Sequence, residues 1–211
     1  MQRQKRILLD HGIKNKRMAG LFLDRDGVVI EEKHFISNPD KVVLCRCARE
    51  LIIRAKEENM AVVIVTNQSG ITRGFYDWCD YNRVTDRMLE LLGKEAQPNA
   101  IYANGYGPTN EPENYWRKPN PGMLYEAAND LNIQLQTSVM IGDRMSDLQA
   151  GINANVYLCI HVLTGHGKRE REMVKALMNS KTGEEAPTAM RLVKDLNDLV
   201  GKPTWLAPGN E

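Results

Sequence analysis

The chain has 211 residues, 42% hydrophobic and 26% charged, and its 28 basic side chains stand against 27 acidic ones for a formal net charge of +1. That length suits one domain with a well-buried core, and the even charge offers no global attraction for nucleic acid or an anionic membrane. The four cysteines, Cys45, Cys47, Cys79 and Cys159, do not form two pairs at metal-ligand spacing and are read as reduced structural thiols.

In chain order, residues 1–19 are basic through Arg3, Lys5, Arg6, Lys14, Lys16 and Arg17, and are expected to form a solvated arm. The only apolar run there, Ile7-Leu8-Leu9, is too short for the core of a signal peptide. No later segment approaches membrane length, so a cytoplasmic protein is predicted, with no membrane or nucleic-acid partner and a monomeric or small homo-oligomeric state. Short apolar runs at 21–23, 61–65, 100–102, 139–141 and 156–160 read as strands buried on both faces of a parallel sheet.

Between them, amphipathic spacing predicts helices over 48–58, 80–94, 121–131, 146–154 and 169–179, with a last one over 188–200 closed by Gly201 and Pro203. Strand alternating with helix means an α/β class, a doubly wound and mainly parallel sheet, here spanning 20–202. Residues 180–187 read as a loose linker and 203–211 as a tail.

Three predicted strands end in a polar residue: Asp24, Thr66 and Asp143. In an open parallel sheet those carboxyl ends border one crevice, so the three converge. Asp24 and Asp26 are two apart, which on extended backbone points both side chains one way. With Asp143 and backbone carbonyls they make an oxygen-rich site suited to magnesium. A phosphate would need balancing donors. Thr66 and the turn Asn67-Gln68-Ser69-Gly70 supply a hydroxyl and N–H groups, and Arg117-Lys118 two cations. Such parts suit phosphoryl transfer, with Asp24 attacking phosphorus and Asp26 moving the proton. Each element alone is weak, since Asp-x-Asp-Gly also fits a plain turn or a calcium loop.

Together, Leu23-Asp24-Arg25-Asp26-Gly27-Val28, Val65-Thr66-Asn67-Gln68-Ser69-Gly70, Arg117-Lys118-Pro119-Asn120-Pro121-Gly122-Met123 and Ile141-Gly142-Asp143-Arg144-Met145-Ser146-Asp147 resemble the four motifs of the haloacid-dehalogenase superfamily. The second and third are similar to the branch of D-glycero-D-manno-heptose 1,7-bisphosphate phosphatases and the related histidinol-phosphatase domain. The resemblance implies Asp24 as nucleophile and Asp26 as acid/base. It implies magnesium held by the Asp24 carboxylate, the Asp26 main-chain oxygen and Asp143. Thr66 and Lys118 would stabilise the transferred group, Arg117 would recognise substrate, and Arg73 and Arg144 would lie near it. Asp147 would support the metal site, orient Lys118, or simply cap its helix.

Members of this branch often carry a zinc loop before Arg-Lys-Pro, but residues 102–116 here contain neither Cys nor His, so no zinc is expected there. Tyr106, Tyr115 and Trp116 either pack that loop or line a different pocket. Asp26 and Thr66 are only 40 positions apart, which leaves no room for a separate cap domain. Glu32, Lys33, His34 and Phe35 align with a substrate-contacting stretch of the branch, although His34 alone reads more readily as a surface residue. The implied substrate is a small phosphorylated metabolite, foremost a sugar phosphate such as a heptose bisphosphate. The alternatives are histidinol phosphate, a nucleic-acid end, or a non-catalytic binding protein on the same fold.

Overall fold

The computed structural model describes residues 4–9, 17–108, 115–180 and 188–201. Seven strands form one sheet: β1 (Gln4–Leu8), β2 (Gly20–Leu23), β3 (Ala61–Asn67), β4 (Ala100–Asn104), β5 (Val139–Gly142), β6 (Leu158–His161) and β7 (Ala189–Leu192). Their order is β1-β4-β3-β2-β5-β6-β7, parallel throughout except for the β1–β4 pair. β2 is central, and every residue of it is buried.

Alternation along β2 shows how the sheet divides the core. Leu21 and Leu23 face one apolar cluster and Phe22 the other, because successive side chains on a strand point to opposite faces. The first cluster takes Leu51 and Ile52 from α1 (Ala48–Glu57), Val84 and Met88 from α2 (Trp78–Leu92), and Leu199 from the short α6 (Asn197–Val200). The second takes Met123 and Leu124 from α3 (Gly122–Leu131), Leu148 from α4 (Met145–Asn153) and Val174 from α5 (Gly167–Ser180). Helices on both faces make the sheet doubly wound, as expected. Among the described residues, the connection from Asp26 to α1 holds a single 3-10 turn, Pro39–Lys41, and no folded lid.

Two expectations fail. Residues 188–200 are not one helix: Ala189–Leu192 pairs in parallel with Leu158–His161, and the helix shrinks to four residues. The segment satisfies both readings locally, and the open edge of β6 decides for the strand, since it supplies partners for the backbone groups that face it. The basic arm is not simply solvated either. Gln4–Leu8 pairs antiparallel with Ala100–Asn104. Leu8 packs on the second cluster and Ile7 on the first. Arg6 forms an ion pair with Asp130 at 2.8 Å, and Lys5 bonds Asn82.

The helix predicted over 80–94 begins earlier, because the Asp77 carboxylate accepts from Cys79 N and Asp80 N and completes a capping box. The linker residues 181–187 and the tail 203–211 lie outside the described residues. No described helix is long and apolar enough to cross a membrane.

Candidate active site

The carboxyl ends of β2, β3 and β5 open onto one cavity of about 630 Å³. Asp24 directly follows β2 and is fixed by its backbone N–H, which donates to Ile141 O at 3.0 Å. Lys118 reaches it from a loop 94 positions later. Its Nζ lies 2.6 Å from Asp24 Oδ1, 2.7 Å from Asp147 Oδ1 and 2.8 Å from Val65 O. All three ammonium hydrogens are thereby used, inside a site where Lys118 is 3% exposed. Burial alone would lower the Lys118 pKa, but Asp147 and Asp24 overcome it and hold the ammonium charged. Asp147 does two things at once: it pairs with Lys118 and its Oδ2 accepts from Arg144 N at the start of α4.

Burial dominates the carboxylates. It pushes Asp24 up to about 7, with Lys118 pulling down and Asp147 and Asp26 pushing up. Burial also raises Asp143 to about 9, reinforced by Asp24 and Asp147. Oxygens of Asp24, Asp143 and Asp147 lie within 4.8 Å of one another. Asp143 Oδ2 accepts from His166 N at 2.7 Å, while its buried Oδ1 takes no donor among the described residues. This donor set fits a hard divalent cation, since it is all oxygen and a cation would offset the burial and mutual repulsion that raise both acids.

The backbone makes room for it. Gly27 has φ +88°, and a Cβ there would stand 2.6 Å from Asp143 Oδ2; at Gly165, φ +54°, the distance would be 2.2 Å. The Asp26 carboxylate does not join the acidic cluster. It turns to Arg25, which donates from Nε to Oδ2 at 3.1 Å and from Nη2 to Oδ1 at 3.0 Å.

The expected donors divide into two groups. Thr66, Asn67, Gln68, Ser69, Arg73, Arg117, Lys118 and Arg144 all border the cavity. Asn67, however, spends its amide on the Lys118 backbone, donating to its O at 3.0 Å and accepting from its N at 3.1 Å. Gln68 is 2% exposed, and its amide bonds Asp26, Thr66, Arg25 and Tyr76. Ser69, Arg73, Arg117 and Arg144 also line the cavity. The Arg117 pKa is lowered, first by burial and then by Arg73 and Arg144, so three guanidinium groups share the mouth. Arg117 is held by donating to Tyr106 O at 3.0 Å.

Among the loop aromatics, Trp116 packs edge-on against Tyr102 at 5.5 Å, and none of Tyr106, Tyr115 and Trp116 borders the cavity. Trp116 thus packs on the second apolar cluster; residues 109–114 lie outside the described residues. His34 borders the cavity with its side chain 77% exposed. Phe35 lies beside it, 4.6 Å from Phe75.

Arg25, Tyr76, His166 and Glu170, which sequence reasoning did not single out, also line the cavity. For Arg25 there was a signal, a cation flanked by two acids where a buried strand ends; Tyr76 offered none.

The profile of haloacid dehalogenase-like hydrolases matches residues 20–155, and a related HAD-hydrolase-like profile matches 115–199. A D-glycero-beta-D-manno-heptose-1,7-bisphosphate 7-phosphatase of Mesorhizobium japonicum is 40% identical over 145 residues, 66% of this chain and 67% of that one. A D-glycero-alpha-D-manno-heptose-1,7-bisphosphate 7-phosphatase of Campylobacter jejuni is 34% identical over 166 residues, 78% of this chain and 93% of that one. The crystal structure of D,D-heptose 1,7-bisphosphate phosphatase from B. bronchiseptica, complexed with magnesium and phosphate, superposes with a TM-score of 0.74 at 28% identity. The match covers 89% of this chain and 98% of that one.

Proposed function

For a chain that belongs to the haloacid dehalogenase-like hydrolase family, we propose that this phosphatase hydrolyses a phosphate monoester of a small sugar, a heptose bisphosphate foremost, through an aspartyl phosphate on Asp24. The observation that carries the reading is the buried Asp24–Lys118–Asp147 cluster with Asp143 beside it, at the carboxyl ends of three parallel strands. The named relatives, both heptose-bisphosphate phosphatases, support the choice of sugar.

An Asp24 carboxylate oxygen attacks phosphorus as the bond from phosphorus to the sugar oxygen breaks. Asp26 delivers a proton to the departing oxygen, then takes one from the water that attacks the phosphorus of the acyl phosphate, which frees phosphate and restores Asp24. Lys118 and the Thr66 hydroxyl face the charge that gathers on the transferred group, and act strongly because both are buried and their positions are preset. The Asp24 and Asp143 carboxylates and the Asp26 main-chain oxygen would hold magnesium, which supplies positive charge to offset carboxylate and phosphate together. Arg117, Arg73 and Arg144 bind the remaining anionic or hydroxyl groups of the substrate at the mouth.

The test is kcat/KM across heptose bisphosphates, hexose phosphates, histidinol phosphate and 3′-phosphorylated oligonucleotides, for the wild type and Arg117→Ala. A sugar bisphosphate should lead, and lose its lead in Arg117→Ala. An oligonucleotide at the head of the ranking, or a ranking indifferent to Arg117, would overturn the assignment.

A further inference from the structure

We propose that Gln68 is a positioning residue for proton transfer, holding Asp26 in one orientation together with Arg25 and Tyr76, rather than a contact to the substrate. The inference rests on the reading of Asp26 as the acid/base. A carboxamide has two N–H donors and two acceptor lone pairs. Gln68 uses all four inside the protein. Its Nε2 donates to Asp26 Oδ2 at 2.9 Å and to Thr66 Oγ1 at 2.7 Å. Its Oε1 accepts from Arg25 Nη2 at 3.0 Å and from the Tyr76 hydroxyl at 2.5 Å. The opposite amide orientation would set an oxygen against the Asp26 carboxylate and N–H groups against a guanidinium. Arg25 and Tyr76 therefore determine which way Gln68 faces, and Gln68 passes that orientation to Asp26.

The surroundings make the network rigid. Arg25 is 1% exposed and lies over the Tyr81 ring at 5.2 Å. Buried polar networks that are nearly satisfied have few alternative arrangements, because each rearrangement strands a polar group away from water.

The geometry also assigns the mobile proton to one atom. Asp26 Oδ2 receives two donors, Arg25 Nε at 3.1 Å and Gln68 Nε2 at 2.9 Å. Oδ1 receives only Arg25 Nη2 at 3.0 Å and keeps a lone pair without a donor from the described residues. A proton passing to or from Asp26 is therefore exchanged at Oδ1. As the bond from phosphorus to the leaving oxygen breaks, its electron pair goes to that oxygen, the Oδ1 proton follows, and the resulting carboxylate stays paired with Arg25. At the other end, Thr66 Oγ1 accepts from Gln68, so its own hydrogen is available to a phosphate oxygen. One amide thus sets both the acid and a phosphate donor.

A positioning role has a signature that loss of stability lacks. An alkyl alcohol needs a proton to depart, whereas 4-nitrophenolate leaves without one. The measurement is the ratio of kcat/KM for the best sugar phosphate to that for 4-nitrophenyl phosphate, which reports only steps up to departure of the leaving group. Any change in Thr66 affects both substrates and cancels. In Gln68→Met the ratio should fall about 10- to 100-fold, within the range of general-acid effects. In Tyr76→Phe, which removes one hydroxyl, it should fall at least threefold.

Asp26→Asn separates the two failures. If it lowers the ratio and folded Gln68→Met does not, the positioning inference alone is wrong. If Asp26→Asn leaves the ratio unchanged, the acid/base reading falls and takes the inference with it. Should Gln68→Met fail to fold, Tyr76→Phe decides, and an unchanged ratio there overturns the proposal.

Discussion

Replacing Lys118 by methionine removes the ammonium 2.6 Å from Asp24 and 2.7 Å from Asp147 while keeping most of the stem's volume. At such distances each attraction is worth roughly 6 kcal/mol at an effective dielectric near 20. Desolvation opposes it by several kcal/mol per ion. Breaking a buried pair and leaving its charge behind costs about 3–5 kcal/mol. Asp24 has a way out, because burial already raises it to about 7 with Lys118 present, and Lys118 pulls it down. Without Lys118 it rises further and stays neutral at pH 7. Asp147, 1% exposed, nevertheless loses its cation as well, so the expected cost at that pH stays at about 3–5 kcal/mol.

The pH dependence follows from the same shift. A carboxyl whose folded pKa exceeds its unfolded value contributes fully below the unfolded pKa, and that contribution is lost as pH rises to the folded pKa. Wild type and variant lose it together up to about pH 7. Above that only the variant continues to lose it. In chelator, the Tm gap between the two should be flat below pH 7 and widen toward pH 9. Activity with magnesium at pH 7 should fall at least 10²- to 10³-fold, the usual effect of removing one donor to developing charge. Scanning calorimetry across pH and steady-state kinetics read both. A gap that narrows above pH 7, or a folded variant within tenfold of wild type, would refute the reasoning.

Asp24→Asn should abolish turnover while circular dichroism stays native, and substantial residual activity in the folded protein would exclude the covalent route. Activity should require added magnesium and purified protein should hold no stoichiometric zinc; elemental analysis with one zinc per chain, or full activity in excess chelator, would contradict this. Gly27→Ala should raise the magnesium concentration for half-maximal activity at least tenfold, because φ is +88° and the added methyl would stand 2.6 Å from Asp143 Oδ2. A titration indistinguishable from wild type would show that the glycine is not needed for the acidic cluster.

The amino-acid sequence by itself determined the layer architecture and the strand ends that carry chemistry. Runs such as Val62-Val63-Ile64-Val65 are apolar at every position, which fits a strand covered on both faces, and a parallel sheet then brings Asp24, Thr66 and Asp143 to one side. Periodicity records what a segment buries but not its partner. That is why 189–192 read as helix until β6 claimed it, and why Gln4–Leu8 read as solvated until β4 paired with it.

The same limit holds in the site. Nothing local to Lys118 says that its ammonium bridges Asp24 and Asp147. Nothing local to Gln68 says that its amide is consumed by Asp26, Thr66, Arg25 and Tyr76. Only tertiary structure decided these, because a hydrogen-bonding group takes its partner from whatever the packed chain brings within about 3 Å, and most of these partners lie far away in sequence.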